Sequence, residues 1–227
     1  MPPRLPLRLI LASQSPRRHE LASKAGWDVI VTAPPEQVEA DAEPRGLNET
    51  ISDYVVRLAH AKAAAVASSV TTDSPAKRDR IILACDTLGE IDQIALGKPR
   101  DRADAADMIR RLSGRLHRVI TGVSLWIPTA PASTLSSPVT GRASTDAPDP
   151  YTVLNAVAES LVFMEPISPP ALEAYLATNA WRGKAGSCGL QDGLLPLSLA
   201  SGTADTVVGL PVSLVESLIA DHCGNEP

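Results

Sequence analysis

Aromatic side chains are scarce in this chain: three Trp, three Tyr and one Phe among 227 residues, 3% in all. That scarcity excludes a stacking platform for single-stranded nucleic acid, which needs an aromatic face for each of several bases. Positive charge is in deficit too. With 21 Lys and Arg against 26 Asp and Glu, the net charge is −5, the wrong sign for a general nucleic-acid binder. Cysteine is limited to Cys85, Cys188 and Cys223, with no C-x-x-C pair. An odd number without that spacing argues against a disulfide framework or a zinc site, and makes a reducing cytoplasm the expected compartment. Long apolar runs are missing as well. After Arg4 and Arg8 the uninterrupted apolar run covers only residues 9–12, against ~7–15 for a signal-peptide core. No stretch approaches the ~18 residues of a membrane span.

What remains is an ordinary globular composition, 44% hydrophobic and 21% charged. The length suits one large domain or two small lobes sharing a core. A local basic site in an acidic protein points to a small anionic ligand. Such a site stands near the N-terminus, in Leu9-Ile-Leu-Ala-Ser-Gln-Ser-Pro-Arg-Arg18. Residues 9–12 read as a buried strand. Ser15 then caps a helix with Pro16 in its first turn, where a missing N–H costs nothing. Gly26 closes that helix. Strand, tight turn and helix N-terminus aim free backbone N–H groups and the positive end of the helix dipole at one spot. Ser13, Ser15, Arg17 and Arg18 surround it, a good set for a phosphate chain. An ordinary helix cap with two solvated arginines is the competing reading.

Further along, residues 27–31 read as a second strand and 34–45 as an acidic loop carrying Glu36, Glu39, Asp41 and Glu43. Most such carboxylates are simply solvated, but one could help hold a metal. Residues 48–69 form an Ala-rich helix with Tyr54, Leu58, Ala61 and Ala65 at helical spacing and Lys62 within it. Residues 70–80 read as a polar linker. Residues 81–86 are the clearest buried strand. It ends in Asp86 and Thr87, the place where α/β sheets bind ligands. A hairpin turning at Asp92-Gln93 delivers Gly97-Lys98-Pro99. Asp101 caps a helix to Leu112, and residues 116–127 form a long strand through His117. Residues 128–150 contain Pro128, Pro131, Pro138, Pro148 and Pro150 and almost no large apolar side chain, so they read as a flexible insertion joining two strands of a hairpin. Residues 153–163 resume as a strand, Ser168 starts another helix, 183–191 form a glycine-punctuated loop, and 207–211 lead into a last helix.

Taken in order, Leu11-Ala-Ser-Gln-Ser-Pro-Arg-Arg18, Asp86-Thr87, Gly97-Lys98-Pro99, Leu112-Ser-Gly-Arg115 with His117 and Thr121-Gly122, Lys184-Ala-Gly186, Gly189-Leu-Gln191 and Val208-Gly-Leu-Pro211 resemble the Maf family of nucleotide pyrophosphatases. The resemblance spans nearly the whole chain. It implies a single Maf-like domain over residues 1–227, of α/β class, with an elongated mixed central sheet flanked by helices and two lobes around a nucleotide cleft. It implies hydrolysis of a nucleoside triphosphate to the monophosphate and pyrophosphate with a divalent cation, Mg2+ first. The Asp-Thr pair with a Gly-Leu-Gln loop looks like the branch acting on dTTP and UTP. The alternatives are a house-cleaning pyrophosphatase for inosine-type or 7-methyl-GTP nucleotides, or a non-catalytic nucleotide-binding regulator of cell division. The chain departs from the family at Val38-Glu39-Ala40, where Val-Asp-Glu is usual, and at Cys188, where tyrosine is usual.

The resemblance carries roles onto individual residues. Asp86 would be the general base or the carboxylate that positions the metal and its water. Ser13, Arg17, Arg18, Lys62 and Lys98 would hold the triphosphate, with Arg17 and Lys98 also catalytic. Thr87 and Gln191 would face the base or sugar. The metal would lie between Asp86 and Glu39, with Glu36 the other candidate. The expected partner is the nucleotide alone, neither nucleic acid nor membrane, and dimers are common in the family, so a homodimer is an expected assembly.

Overall fold

The computed structural model describes residues 7–40, 42–73, 80–129 and 151–224, without the side chains of 39–40, 70–73 and 223–224. Short apolar runs become the strands β1 (Arg8–Leu11), β2 (Asp28–Val31), β3 (Ile81–Ile91), β4 (Ile94–Leu96), β5 (Arg115–Pro128), β6 (Tyr151–Met164) and β7 (Leu197–Ser201). All seven join one mixed sheet in the order β2-β1-β3-β5-β6-β7, with β4 paired to β3. β1 runs parallel to both β2 and β3; every other pairing is antiparallel.

The parallel part sets the position of the site. Helix α1 (Pro16–Lys24) carries the chain from β1 to β2 on one side. The chain then passes through α2 (Gln37–Ala40) and α3 (Ile51–Asp73) to β3, on the other side of β1. Parallel crossovers are right-handed, so β1→β2 and β2→β3, which run in opposite directions across the sheet, must lie on opposite faces. The core follows this rule through the period of two. Leu9 and Leu11 pack with Ala22 of α1, while Ile10 and Ala12 pack with Ala63 and Val66 of α3. The crevice where the two crossovers part, at the carboxyl end of β1, is where open α/β sheets bind ligands.

Helix α3 lies very close to the sheet. A Cβ on Gly122 of β5 would come within 2.6 Å of the Val55 backbone, so only glycine admits α3 at this height. The buried stripe of α3 is Ile51, Val55, Ala59, Lys62, Ala63, Val66 and Ala67. The stripe expected from spacing, Tyr54, Leu58, Ala61 and Ala65, is offset by one residue and only half-buried. Alanine on nearly every side of this helix left its inward face ambiguous. The rest of the chain builds a second packing centre. Helices α4 (Arg102–Leu112) and α5 (Pro169–Ala177) bury Ile109, Leu112, Leu172 and Leu176 against Ile91, Met164 and Trp181. Both carry the expected caps: Asp101 accepts from the Asp104 N–H and Ser168 from the Ala171 N–H. After β7 come the short α6 (Ala204–Val208) and α7 (Val212–Gly224).

Several expectations need correcting. Ser15 occupies the N-cap of α1 but makes no side-chain cap bond; Ser13 Oγ instead accepts from the Ser15 N–H at 3.1 Å. β3 does not end at Asp86 but runs on to Ile91. The acidic loop contains the turn of helix α2. α3 extends through Asp73, into the expected linker; residues 74–79 lie outside the described residues. The flanking strands of the insertion do pair, Pro128 opposite Tyr151, while residues 130–150 lie outside the described residues.

Candidate active site

β1 pairs with β3 only as far as Leu83. Beyond that point β1 has turned away into Ala12 and Ser13, and the flank of β3 opens at Asp86 and Thr87. Asp86 therefore reaches the crevice because its neighbour ends, not because its own strand does. The crevice has a volume of about 630 Å³ and is lined by Ser13, Arg17, Arg18, Lys62, Asp86, Thr87, Lys98 and Gln191 among others. Every residue expected to hold the substrate is thus brought to one cleft. Glu36 lines it too, whereas the side chain of Glu39, on α2, lies outside the described residues.

The two arginines differ. Arg18 is held by protein: Nε–H donates to the Gly209 carbonyl at 2.8 Å, Nη2 to Thr87 Oγ1 at 3.0 Å, and Nη1 more loosely to Ser13 Oγ at 3.5 Å. Gly209 is required there, since its φ is +107° and a Cβ would lie 3.0 Å from the Arg18 guanidinium and 2.6 Å from Thr87 Oγ1. Arg17 lines the same cleft half-buried, beside the first-turn N–H groups of α1 that no helical carbonyl satisfies. It is the arginine placed to meet an anion.

Opposite, Lys62 reaches down from α3 and ion-pairs with Asp86, the two side chains only 5% and 14% exposed. Lys62, expected on the triphosphate, lines the cleft and is also the partner of Asp86. Thr87 was expected to face the base, but its hydroxyl lies between Arg18 and Thr121. Lys98 is exposed at the cleft edge. Its loop is tied to the glycine-rich loop where the Gly186 N–H donates to the Gly97 carbonyl at 3.0 Å. That second loop has its own fixings. Tyr175 Oη donates to the Ser187 carbonyl at 2.8 Å, and burial raises the tyrosine's pKa. Lys184 ion-pairs with Asp192, next to Gln191. Burial pushes the nearby Cys188 thiol up to about 12.

The wall between these groups is mostly apolar, formed by Leu112, Val119, Val162 and Leu197, with His117 among them. His117 is buried, and its pKa is lowered by that burial. Sequence reasoning passed over Asp192, Arg182 and the role of Thr121. A lysine in a glycine-rich loop needs a counter-charge if it is buried, and that need was the available signal for Asp192. Among the described residues no group of three or more His, Cys, Asp or Glu is arranged to hold a metal, and no helix is long and apolar enough to cross a membrane.

A sequence model of the Maf-like proteins matches residues 8–222. Three similar proteins carry the name dTTP/UTP pyrophosphatase. One, from Rhodopirellula baltica, is 34% identical over 94% of this chain and 82% of its own. Another, from a Chelativorans species, is 34% identical over 95% and 91%. The third, from Vibrio cholerae, is 34% identical over 93% and 96%. The chain belongs to the Maf-like family.

Proposed function

We propose that this protein is a nucleoside triphosphate pyrophosphatase that hydrolyses dTTP and UTP to the monophosphate and pyrophosphate. The observation that carries the reading is one cleft with two unlike walls. On one side stands an anion cradle, the α1 N-terminus with Arg17 and Ser13; on the other stands a nearly buried carboxylate, Asp86, with its ammonium partner Lys62. Water attacks the α-phosphorus, the bond to the α–β bridging oxygen breaks, and pyrophosphate leaves. Catalysis of this kind is mostly positioning and charge neutralisation. Arg17 and Lys98 neutralise the phosphates, and Asp86 accepts the proton of the attacking water. Gln191 meets the base, offering a donor and an acceptor to the carbonyl and N–H edge of uracil or thymine.

The donor set fits a hard cation of the magnesium kind, which takes one or two carboxylates and completes its shell with phosphate oxygens and waters. Asp86, with Glu36 or Glu39, would hold it, and it would add charge neutralisation at the triphosphate. We read residues 1–227 as one domain built around this cleft, with 128–150 an appendage outside the chemistry. A homodimer in the cytoplasm completes the proposal.

Product analysis in 18O-labelled water tests the reaction. Label in the monophosphate, with unlabelled pyrophosphate, is expected from dTTP and UTP. Release of inorganic phosphate with a nucleoside diphosphate would overturn it.

A further inference from the structure

Beneath Arg18 runs a chain of hydroxyls whose proton directions are fixed. Thr121, fully buried on β5, lies 2.8 Å from the Thr206 carbonyl. A carbonyl only accepts, so the single Thr121 proton goes there. The contact of 2.9 Å between Thr87 and Thr121 is then left one direction: Thr87 donates and Thr121 accepts. Arg18 only donates, so Thr87 accepts from it. The Thr87 hydroxyl thus has its proton committed away from the cleft and one lone pair committed to Arg18. It cannot donate to a bound nucleotide. The chain also closes on itself: Thr206 belongs to α6, and the residue that ends α6, Gly209, gives its carbonyl to Arg18 Nε.

We infer that Thr121 is a positioning residue for this reaction. It orients the Thr87 hydroxyl, which fixes the Arg18 guanidinium, which in turn holds Ser13 and the phosphate turn in place. Removing the Thr121 hydroxyl lets Thr87 rotate its proton toward Arg18 or into the cleft, and Arg18 loses a permanent acceptor. Thr87 shapes the site through Arg18 and not by reading the base with its proton. The effect on turnover rests on the proposed pyrophosphatase activity; the effect on Arg18 does not.

The test pairs kinetics with NMR of the Arg18 Nε–H signal, assigned by its loss in Arg18→Lys. Thr121→Val keeps the shape and removes the hydroxyl; Thr121→Ser keeps the hydroxyl. Thr121→Val should speed solvent exchange of the Arg18 Nε–H and lower kcat/KM for dTTP, each on the order of tenfold, the worth of one neutral hydrogen bond. Thr121→Ser should restore both to about wild type. Thr87→Val should produce the same two losses, and Thr87→Val/Thr121→Val no more than Thr87→Val alone, because the two residues act in series. If Thr121→Val does not fold, Thr87→Val and Thr121→Ser still read the Arg18 exchange. Wild-type exchange in a folded Thr121→Val or Thr87→Val overturns the inference, as do additive losses in the double variant. A wild-type protein that releases no pyrophosphate overturns the functional reading alone, since the exchange comparison stands without turnover.

Discussion

Arg17 and Arg18 are neighbours with unlike duties, and the difference rests on what each guanidinium already touches. Arg18 has three protein acceptors; Arg17 faces the cleft from the first turn of a helix. Arg17→Lys should therefore raise KM and lower kcat/KM by about tenfold or more, because an ammonium cannot reproduce a two-pronged contact with phosphate. Steady-state kinetics on dTTP check this; unchanged constants would mean Arg17 is only a solvated helix residue. Asp86→Asn should stay folded and bind nucleotide but lose ~10²–10⁴-fold in kcat, the worth of a general base. Nucleotide titration alongside turnover separates the two effects. Ser13 and Arg17 were legible as cleft residues because a strand, a tight turn and a helix N-terminus aim them at one spot, and Asp86 because it interrupts a buried apolar run; Lys98 and Gln191 came with the family resemblance. Lys62 was legible only through the family resemblance, since an Ala-rich helix hides which face is inward. Thr121 was not legible, since a hydroxyl chain through three separate segments leaves no mark on any one of them.

At the scale of the element, local chemistry explains most boundaries. The Asp92-Gln93 hairpin forms with both residues at positive φ, 55° and 62°, the two-residue turn that matches strand twist. β7 and α6 were not read from the sequence. Leu197–Ser201 is mostly exposed and lacks β-branched residues, and Ala204–Val208 is barely a turn of helix; β7 is held by backbone pairing with β6, and α6 is tied to the sheet by the Thr121 hydroxyl, which donates to the Thr206 carbonyl. The start of α3 carries a brace that titrates. Arg57 grips Glu49 through Nε at 2.7 Å and Nη2 at 2.9 Å and lies over the Tyr54 ring. Those bonds lower the Glu49 pKa from its usual 4.5 to about 2. A carboxylate depressed in the folded state stabilises above its unfolded pKa and loses that contribution as pH falls toward the folded value. Arg57→Met should therefore melt a few degrees below wild type at pH 7, with the gap closing between about pH 4.5 and pH 2. Thermal melts of both proteins across that range check it; a gap that widens in acid contradicts the brace.

Across the whole molecule, the site exists because β1 is flanked by parallel strands on both sides while the rest of the sheet is antiparallel. That arrangement opens the crevice at one place and leaves the β5–β6 hairpin end far along the sheet at Pro128 and Tyr151. Replacing the insertion expected at residues 128–150 by a short turn should leave both Tm and kcat almost unchanged, because a sequence so poor in large apolar residues has little with which to form a core. Differential scanning calorimetry and kinetics on the shortened protein check this, and a large loss of either would place the insertion on the body or over the cleft. The mixed sheet and its order of motifs were legible because each motif falls at a strand end or turn. The parting of two crossovers at β1 was not, since handedness and strand order arise only when the elements assemble.

The most direct test of the account is kcat/KM for dTTP, UTP, CTP, GTP and 7-methyl-GTP on one preparation, repeated for Gln191→Ala. A site built around a base-edge hydrogen bond penalises a wrong edge because a buried polar group is then left unpaired. dTTP and UTP should lead in the wild-type protein, and Gln191→Ala should flatten that lead. A purine triphosphate as best substrate, or a ranking that Gln191→Ala leaves untouched, would contradict it.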